Sequence, residues 1–113
     1  MANKFINKKK DLTSTSATTL YTVPSAATAV VKSIIVSEDS GNADTITVTI
    51  TDTNDAVFSL FKTKAISANA TTELLSAPLV VGESEIVKVT AATANRLHVV
   101  LSALEIKPRT VTE

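Results

Sequence analysis

Residues Asp44–Asp52 read Asp-Thr-Ile-Thr-Val-Thr-Ile-Thr-Asp, and this stretch decides the fold class. Ile46, Val48 and Ile50 alternate with a threonine at every intervening position. A period of two places successive side chains on opposite faces of an extended chain. The stretch therefore predicts a β-strand with one apolar face for a core and one hydroxyl-bearing face.

The same residue types continue on both sides of this strand. β-Branched residues suit a pleated, half-buried surface and lose rotamer freedom in helices. The pattern predicts further strands at Thr18–Val23, Ala29–Ser37, Ala56–Lys62, Thr71–Leu75, Leu79–Val81, Glu85–Ala91 and Arg96–Ile106. Polar turn residues separate them at Ser37–Asn42, Asp52–Asp55, Ser67–Ala70 and Ala92–Asn95. We therefore predict an all-β fold, a single antiparallel β-sandwich that is jelly-roll-like and has about seven to eight strands.

The two ends of the chain are predicted to lie outside this domain. Residues 1–11 are basic, show no strand alternation and are too few for a stable helix, so we expect an extended basic N-terminal arm that is flexible until it meets a partner. Residues 12–107 are the predicted β-sandwich domain, and residues 108–113 are a C-terminal tail.

The arm is the predicted partner-binding segment. Its lysines would pair with an acidic surface while its two apolar residues anchor it, because arms that order on binding are common in assemblies. The alternative is a tail that only solubilises the protein. The predicted partner-binding residues are Lys4, Phe5, Ile6, Lys8, Lys9 and Lys10.

Composition excludes several classes of protein. The 113 residues include 11 basic and 11 acidic side chains, so the formal net charge is zero and no global field attracts nucleic acid or a membrane. The absence of Cys excludes disulfides, thiolate metal sites and cysteine nucleophiles. No signal-peptide pattern follows Met1, so we expect the mature protein to start near it. We predict neither a nucleic-acid partner nor a membrane partner.

His98 is the only histidine and lies between Leu97 and Val99 in the last predicted strand. A catalytic histidine needs a nucleophile or an orienting carboxylate, and a metal site needs further ligands. The sequence offers neither as a motif, so we interpret His98 as structural or surface-exposed. Asp52, Asn54 and Asp55 could form a weak calcium loop, but these are also ordinary turn residues, and we favour the turn.

Two pairs of carboxylates are possible acid–base groups. Glu38 and Asp39 lie in a predicted loop, and Glu83 and Glu85 lie where the next loop meets the predicted strand Glu85–Ala91. Glycoside chemistry needs opposed carboxyls and usually aromatic sugar platforms, whereas the chain has no Trp and one Tyr. We interpret these residues as solvated loop charges. We predict no catalytic, cofactor-binding or metal-binding residue, no cofactor and no enzymatic activity.

One ordered set of motifs goes beyond composition. It consists of LYTVP at 20–24, AVVKSIIVS at 29–37, the Thr-alternating strand, AISANATTEL at 65–74, LVVGESEIVKV at 79–89 and LHVVLSALEI at 97–106. With these motifs the chain resembles a family of small virion structural proteins of tailed bacteriophages, including marine phages and cyanophages. Two positions depart from the family pattern: Glu38-Asp39 stand where Asn is usual, and Ala103 stands where Gly is usual.

The resemblance implies a non-enzymatic role in a phage particle. The expected function is that of a capsid decoration or cement protein attached to the major capsid protein lattice. A tail- or neck-associated adaptor or fibre-anchoring protein is one alternative, and a receptor- or glycan-binding module is another. The implied partners are the major capsid protein or other virion structural proteins, with homo-oligomers in the particle. The implied location is the capsid or tail surface of the virion, after synthesis in the host cytoplasm.

Overall fold

The computed structural model describes residues 2–107, and these residues form nine β-strands and no helix. The segment therefore contains no helix long and apolar enough to cross a membrane. The strands are β1 Ala2–Asp11, β2 Thr18–Thr22, β3 Thr28–Glu38, β4 Asp44–Thr51, β5 Val57–Ile66, β6 Thr71–Glu73, β7 Leu79–Val81, β8 Ile86–Ala91 and β9 Leu97–Lys107.

These strands form two antiparallel sheets. The first has the order β1-β9-β3-β6, and β7 pairs with β3 beside β6. Because β6 meets Ile35–Ser37 and β7 meets Ala29–Val31, the two short strands occupy the same edge. The second sheet has the order β2-β8-β4-β5. The fold is therefore all-β and antiparallel, as the alternation predicted.

The inward faces of both sheets form one core. Ile46 and Val48 of β4 are fully buried, whereas Thr45, Thr47 and Thr49 are only partly buried, so the alternation read from the sequence is confirmed. The core is almost entirely aliphatic, which follows from an aromatic content of only 4%. Its fully buried members include Val31, Ile34, Val36, Val81, Val87, Val89, Leu97, Val99 and Leu101.

Strand β1 corrects the prediction of an arm without regular structure. Residues Ala2–Asp11 pair with Lys107–His98 of β9 in one continuous antiparallel register with no bulge. Ile6 packs against the core, and buried Leu12 donates its N–H to the carbonyl of Leu97 at 3.0 Å. Residues 108–113, the predicted C-terminal tail, lie outside the described part of the chain.

The reason for this error is the composition of β1. An edge strand is stabilised by backbone pairing along one side, so it needs little apolar alternation of its own. Lysines occupy positions on both of its faces and hide the period-two signal. The remaining strand predictions are confirmed to within one or two residues at most ends, although β5 continues four residues beyond the predicted end at Lys62 to Ile66.

The core position of β9 gives a test of this architecture. Leu101 is fully buried, so Leu101→Ala should lower the free energy of unfolding by about 2–5 kcal/mol through lost burial and a residual cavity. Val57→Ala is the control, because Val57 is 62% exposed and its truncation should change stability by less than about 0.5 kcal/mol. Urea denaturation measures both. Equal effects of the two substitutions would contradict the assigned core.

Candidate functional site

The free edge of β1 is the first candidate interaction surface. In the described residues β1 pairs with β9 alone. Because the Leu12 N–H points to β9 and backbone groups alternate along a strand, even-numbered residues direct their backbone groups to β9. The backbone N–H and C=O groups of Asn3, Phe5, Asn7, Lys9 and Asp11 therefore face outward.

The predicted arm residues are divided between the two faces of β1. Lys4, Ile6, Lys8 and Lys10 share the face that carries the core, whereas Phe5 and Lys9 lie on the outer face. Ile6 packs against the chain's own core, and Phe5 is 81% exposed. The structure therefore collects all six predicted residues on one edge strand, but only Phe5 of the two apolar residues is free for a partner.

A buried hydroxyl–carboxylate pair lies beneath this edge. The Tyr21 hydroxyl donates to Glu105 Oε2 at 2.6 Å, and both residues are buried. Burial, the hydrogen bond and the negative charge of Glu105 all raise the pKa of Tyr21. The Lys8 ammonium lies 6.0 Å from the centre of the Tyr21 ring, a cation–π geometry that adds a tie between β1 and β2. Nothing in the sequence signalled this pair.

Removing the Tyr21 hydroxyl should lower the free energy of unfolding. Tyr21→Phe takes away the donor to a buried carboxylate, and a buried polar group that loses its partner costs about 1–3 kcal/mol. The double variant Tyr21→Phe/Glu105→Leu should lose less free energy of unfolding than the sum of the losses of the two single variants, because no carboxylate is then left in the core. Urea denaturation of the three variants measures this coupling. Strictly additive losses would show that the two side chains do not depend on each other.

The outer face of the first sheet is the second candidate surface. Cross-strand register places Phe5 beside Leu104, Leu104 beside Val30, and Val30 beside Val80. These four residues form one apolar row across the sheet, with Phe5 81% and Val80 64% exposed at its ends. We call this the apolar row. A contiguous exposed apolar patch is typical of an interaction site.

A second row crosses the same face nearer the other end of β1. It consists of Lys9, Val100, Ile35 and Glu73, each a register neighbour of the next. The row is apolar in its middle strands, basic at the β1 edge and acidic at the β6 edge. We call this the charged row. The sequence alone does not reveal either row, because each row joins residues from four separate strands.

Glu38 corrects the interpretation of loop carboxylates as solvated. It is buried at 2% exposure, and its carboxylate accepts N–H groups from Ser40 at 2.9 Å, Asn69 at 3.0 Å and Gly41 at 3.1 Å, besides the Ser40 hydroxyl. Burial opposes ionisation, but these hydrogen bonds outweigh it and lower the pKa of Glu38 to about 2. The carboxylate thus joins two loops at one end of the sheets.

This arrangement makes stability depend on pH. The folded pKa of Glu38, about 2, lies below its ordinary value of 4.5, so its contribution is complete above about pH 5 and is lost as pH falls toward 2. Glu38→Gln should therefore lower stability most at pH 7, and its deficit against wild type should shrink by pH 2.5. Asp55→Asn, at an exposed turn residue, is the control. A deficit that stays constant with pH in urea titrations would contradict this role.

Glu73 plays a similar part at the β6 edge. Its carboxylate accepts the Ile34 N–H at 2.9 Å and the Leu75 N–H at 3.2 Å, and the Ser33 hydroxyl also donates to it. Burial opposes ionisation, and the hydrogen bonds lower the pKa of Glu73 below its usual range. A bulge in β3 between Val31 and Ser33 disturbs the ladder at this point. Glu73 thus fastens β6 to the bulged segment of β3.

The remaining loop carboxylates also accept backbone groups. Glu85 is half-buried and accepts the Gly82 N–H at 2.7 Å, so its interpretation as a solvated charge is wrong. Glu83 is exposed and also accepts the Ala26 N–H. Asp52 accepts N–H groups from Asn54 and Ala56, each at 2.9 Å. The Asp52–Asp55 segment is therefore a hydrogen-bonded turn between β4 and β5, as the turn interpretation predicted.

His98 lies in a small surface cluster. Its Nε2 is 3.2 Å from Asp11 Oδ1, and its Nδ1 is 3.6 Å from Asp39 Oδ2. The cluster joins β1, β9 and the loop after β3, and the side chain of His98 is 42% exposed. Since the carboxylates contact opposite ring nitrogens, they cannot share one ion with His98. Residues 2–107 hold no group of three His, Cys, Asp or Glu side chains suited to a metal.

A shallow apolar groove runs between β5 and the β6–β7 connection. Its open volume is about 300 Å³, and its lining residues include Leu60, Phe61, Leu75 and Leu79.

A comparison of the sequence with protein-family models gives no match, and a comparison with curated proteins gives none either.

Proposed function

We propose that this chain is a non-enzymatic structural protein of a bacteriophage particle, a capsid decoration protein that attaches to the major capsid protein lattice. The proposal also takes the fold to be a jelly-roll-like β-sandwich. The observation that carries it is β1, a long, regular and basic edge strand beside an exposed apolar face.

The strand pairing supports a jelly-roll sandwich. If β6 and β7 are counted as one interrupted strand, the pairs nest: β1 with β9, β2 with β8, β3 with β6–β7, and β4 with β5. The nested pairs are then joined by β3–β9 in one sheet and β4–β8 in the other. This is the pairing expected when one long hairpin folds over to make two four-stranded sheets, and jelly rolls are frequent in viral capsid proteins.

Rigidity of the loops supports a role in assembly. A protein that covers a lattice binds better if its surface is already ordered, because less conformational entropy is lost on attachment. Carboxylates of Glu38, Glu73 and Glu85 accept N–H groups of the loop residues Gly41, Leu75 and Gly82 and fix them in place. The side chains that contact a lattice would therefore be presented on a preformed surface.

The chemistry of β1 indicates what kind of surface would receive it. Five residues present outward backbone groups, and Lys4, Lys8, Lys9 and Lys10 surround them with positive charge. An acidic extended segment could add to this edge, with backbone hydrogen bonds for affinity and lysines for selection. Lysines on an edge also oppose uncontrolled pairing of sheets, so such an edge favours an acidic partner over a second basic edge.

The opposite edge of the fold is less suited to strand addition. Strand β5 has two register breaks against β4, and Thr63 within it has a φ of 49°. Bulges twist an edge and interrupt its backbone ladder. The difference between the regular β1 and the bulged β5 supports β1 as the attachment edge.

Mass spectrometry and cryo-electron microscopy of phage particles provide the test. Particles of the phage that encodes the chain should contain it in many copies on the capsid lattice, since weak contacts repeated by symmetry give firm attachment. Placement at the neck or tail would favour the adaptor function instead. Absence from purified particles would exclude both.

Charge reversal then tests the attachment edge. Replacing Lys4, Lys8 and Lys10 together with Glu should reduce copy number on the particle by about tenfold or more, because each charge would now oppose an acidic partner. Circular dichroism should show the fold intact. The matched control reverses three exposed or half-exposed lysines of the other sheet, Lys62, Lys64 and Lys88. Equal incorporation of both variants would contradict attachment through β1.

A further inference from the structure

We infer that the outer face of the five-stranded sheet pairs with the same face of a second copy of this chain. The two copies are related by a two-fold axis that lies between the two facing sheets, runs parallel to the strands and passes in front of the gap between β9 and β3. The inference extends the proposed function by naming one partner. It stands on the arrangement of the face alone and can be tested without a phage particle.

The order of residues across the face makes it self-complementary. A two-fold axis parallel to the strands exchanges the left and right sides of each row without moving it along the strands. The apolar row then places Phe5 over the second copy's Val80 and Leu104 over the second copy's Val30. Apolar residues thus meet apolar residues along the whole row.

The charged row fits the same operation. Lys9 at the β1 edge comes to lie over the second copy's Glu73 at the β6 edge, and the exchange occurs twice. Between them, Val100 meets Ile35, which is 37% exposed in the single chain. Within this row, two pairs of opposite charges therefore flank an apolar middle, an arrangement in which both charge and burial favour the contact.

In the row nearest the C-terminal end of β1 no like charges meet, because Asp11 would lie over Thr71 and His98 would lie over Ser37. Lys32, exposed at the bulge of β3, lies beside the axis, so the Lys32 residues of the two copies would come near each other and oppose the dimer. Their long stems can cover apolar surface while the two ammonium groups stay in water.

An axis perpendicular to the strands fits much less well. It would exchange the two ends of each strand and bring the apolar row against the charged row. Lys9 would then lie near the second copy's Phe5, and Glu73 near its Val80. Only the axis parallel to the strands pairs like with like in the apolar row and opposite with opposite in the charged row.

The area of the face is sufficient for a dimer. Strands β1, β9 and β3, together with the short strands β6 and β7 at the far edge, lie about 4.8 Å apart with about 3.4 Å per residue and give a face of roughly 600 Å². Two such faces would bury roughly 1,200 Å², at the lower end of the range for stable interfaces. A dimer of modest affinity is therefore expected for the isolated protein.

Paired substitutions test the face by sedimentation velocity over about 1 μM to 1 mM protein. Phe5→Ser should raise the dissociation constant of the dimer by about tenfold. Phe58→Ser, at an exposed phenylalanine of β5 in the other sheet, should leave it unchanged. Lys9→Glu should weaken the dimer by placing two carboxylates opposite each other, whereas Lys10→Glu, on the other face of the same strand, should not.

Cross-linking tests the axis itself, because the native chain has no Cys. Facing sheets lie about 10 Å apart, whereas Phe5 and Val80 of one copy are three strand spacings, about 14 Å, apart. Phe5→Cys copies mixed with Val80→Cys copies should form covalent heterodimers with a short bismaleimide, and either variant alone should not.

A monomer at every concentration would overturn the inference. So would a dimer that Phe5→Ser leaves intact, or efficient cross-linking of Phe5→Cys to itself, since that result requires a different axis. None of these outcomes bears on whether the chain is found in a phage particle, which is measured separately.

Discussion

Hydrogen bonding of β9 on both of its edges is the constraint on which the rest of the structure depends. Strand β1 pairs along one edge over its whole length, and β3 pairs along the other. With its backbone satisfied, β9 can bury Val99 and Leu101 completely while Val100 and Leu104 face outward. The same strand therefore supplies the middle of the core and the middle of the exposed face, and a one-residue slip would exchange them.

Scarcity of glycine imposes a second constraint, which side-chain oxygen atoms resolve at three positions. The chain has only two glycines, and left-handed backbone is instead adopted by residues such as Ala26, Thr63 and Asn69, with φ of 62°, 49° and 56°. Such a conformation costs about 1–2 kcal/mol for a residue with a Cβ. In these three residues the N–H donates to a side-chain oxygen, of Glu83, Thr47 and Glu38 respectively. At these three positions side-chain acceptors thus hold backbone conformations that glycine would otherwise adopt.

The sequence predicted the elements whose stability comes from their own side chains. Alternation identified β4, and continuous aliphatic runs identified β3 and β9, because burial of one face requires that pattern. Prediction from side-chain patterns failed for β1, because β9 provides its backbone pairing and its lysines carry no periodic signal. It failed for Glu38 for a related reason: a carboxylate next to a polar loop has the same local sequence whether it is solvated or accepts backbone N–H groups.

The candidate site could be predicted only in part, because the cross-strand register decides which residues lie side by side in it. The basic segment was recognisable from consecutive lysines, but which lysine faces which way depends on the direction of β1 against β9. Phe5, Leu104, Val30 and Val80 become one row only after three strand pairings are known. Each residue alone is an ordinary half-buried or exposed side chain, and single exposed apolar residues carry no functional meaning.

The two proposed partners, a lattice segment at the edge of β1 and a second copy at its outer face, would contact different groups of the strand. Side chains of odd-numbered residues stand perpendicular to the sheet, while the backbone groups of the same residues lie within its plane. Face-to-face pairing of two copies would use Phe5 and Lys9 side chains and leave their N–H and C=O groups free. A dimer would then present two basic edges related by the two-fold axis. Two attachment edges on one rigid body bind a regular lattice more firmly than either does alone, provided that their spacing matches that of the lattice.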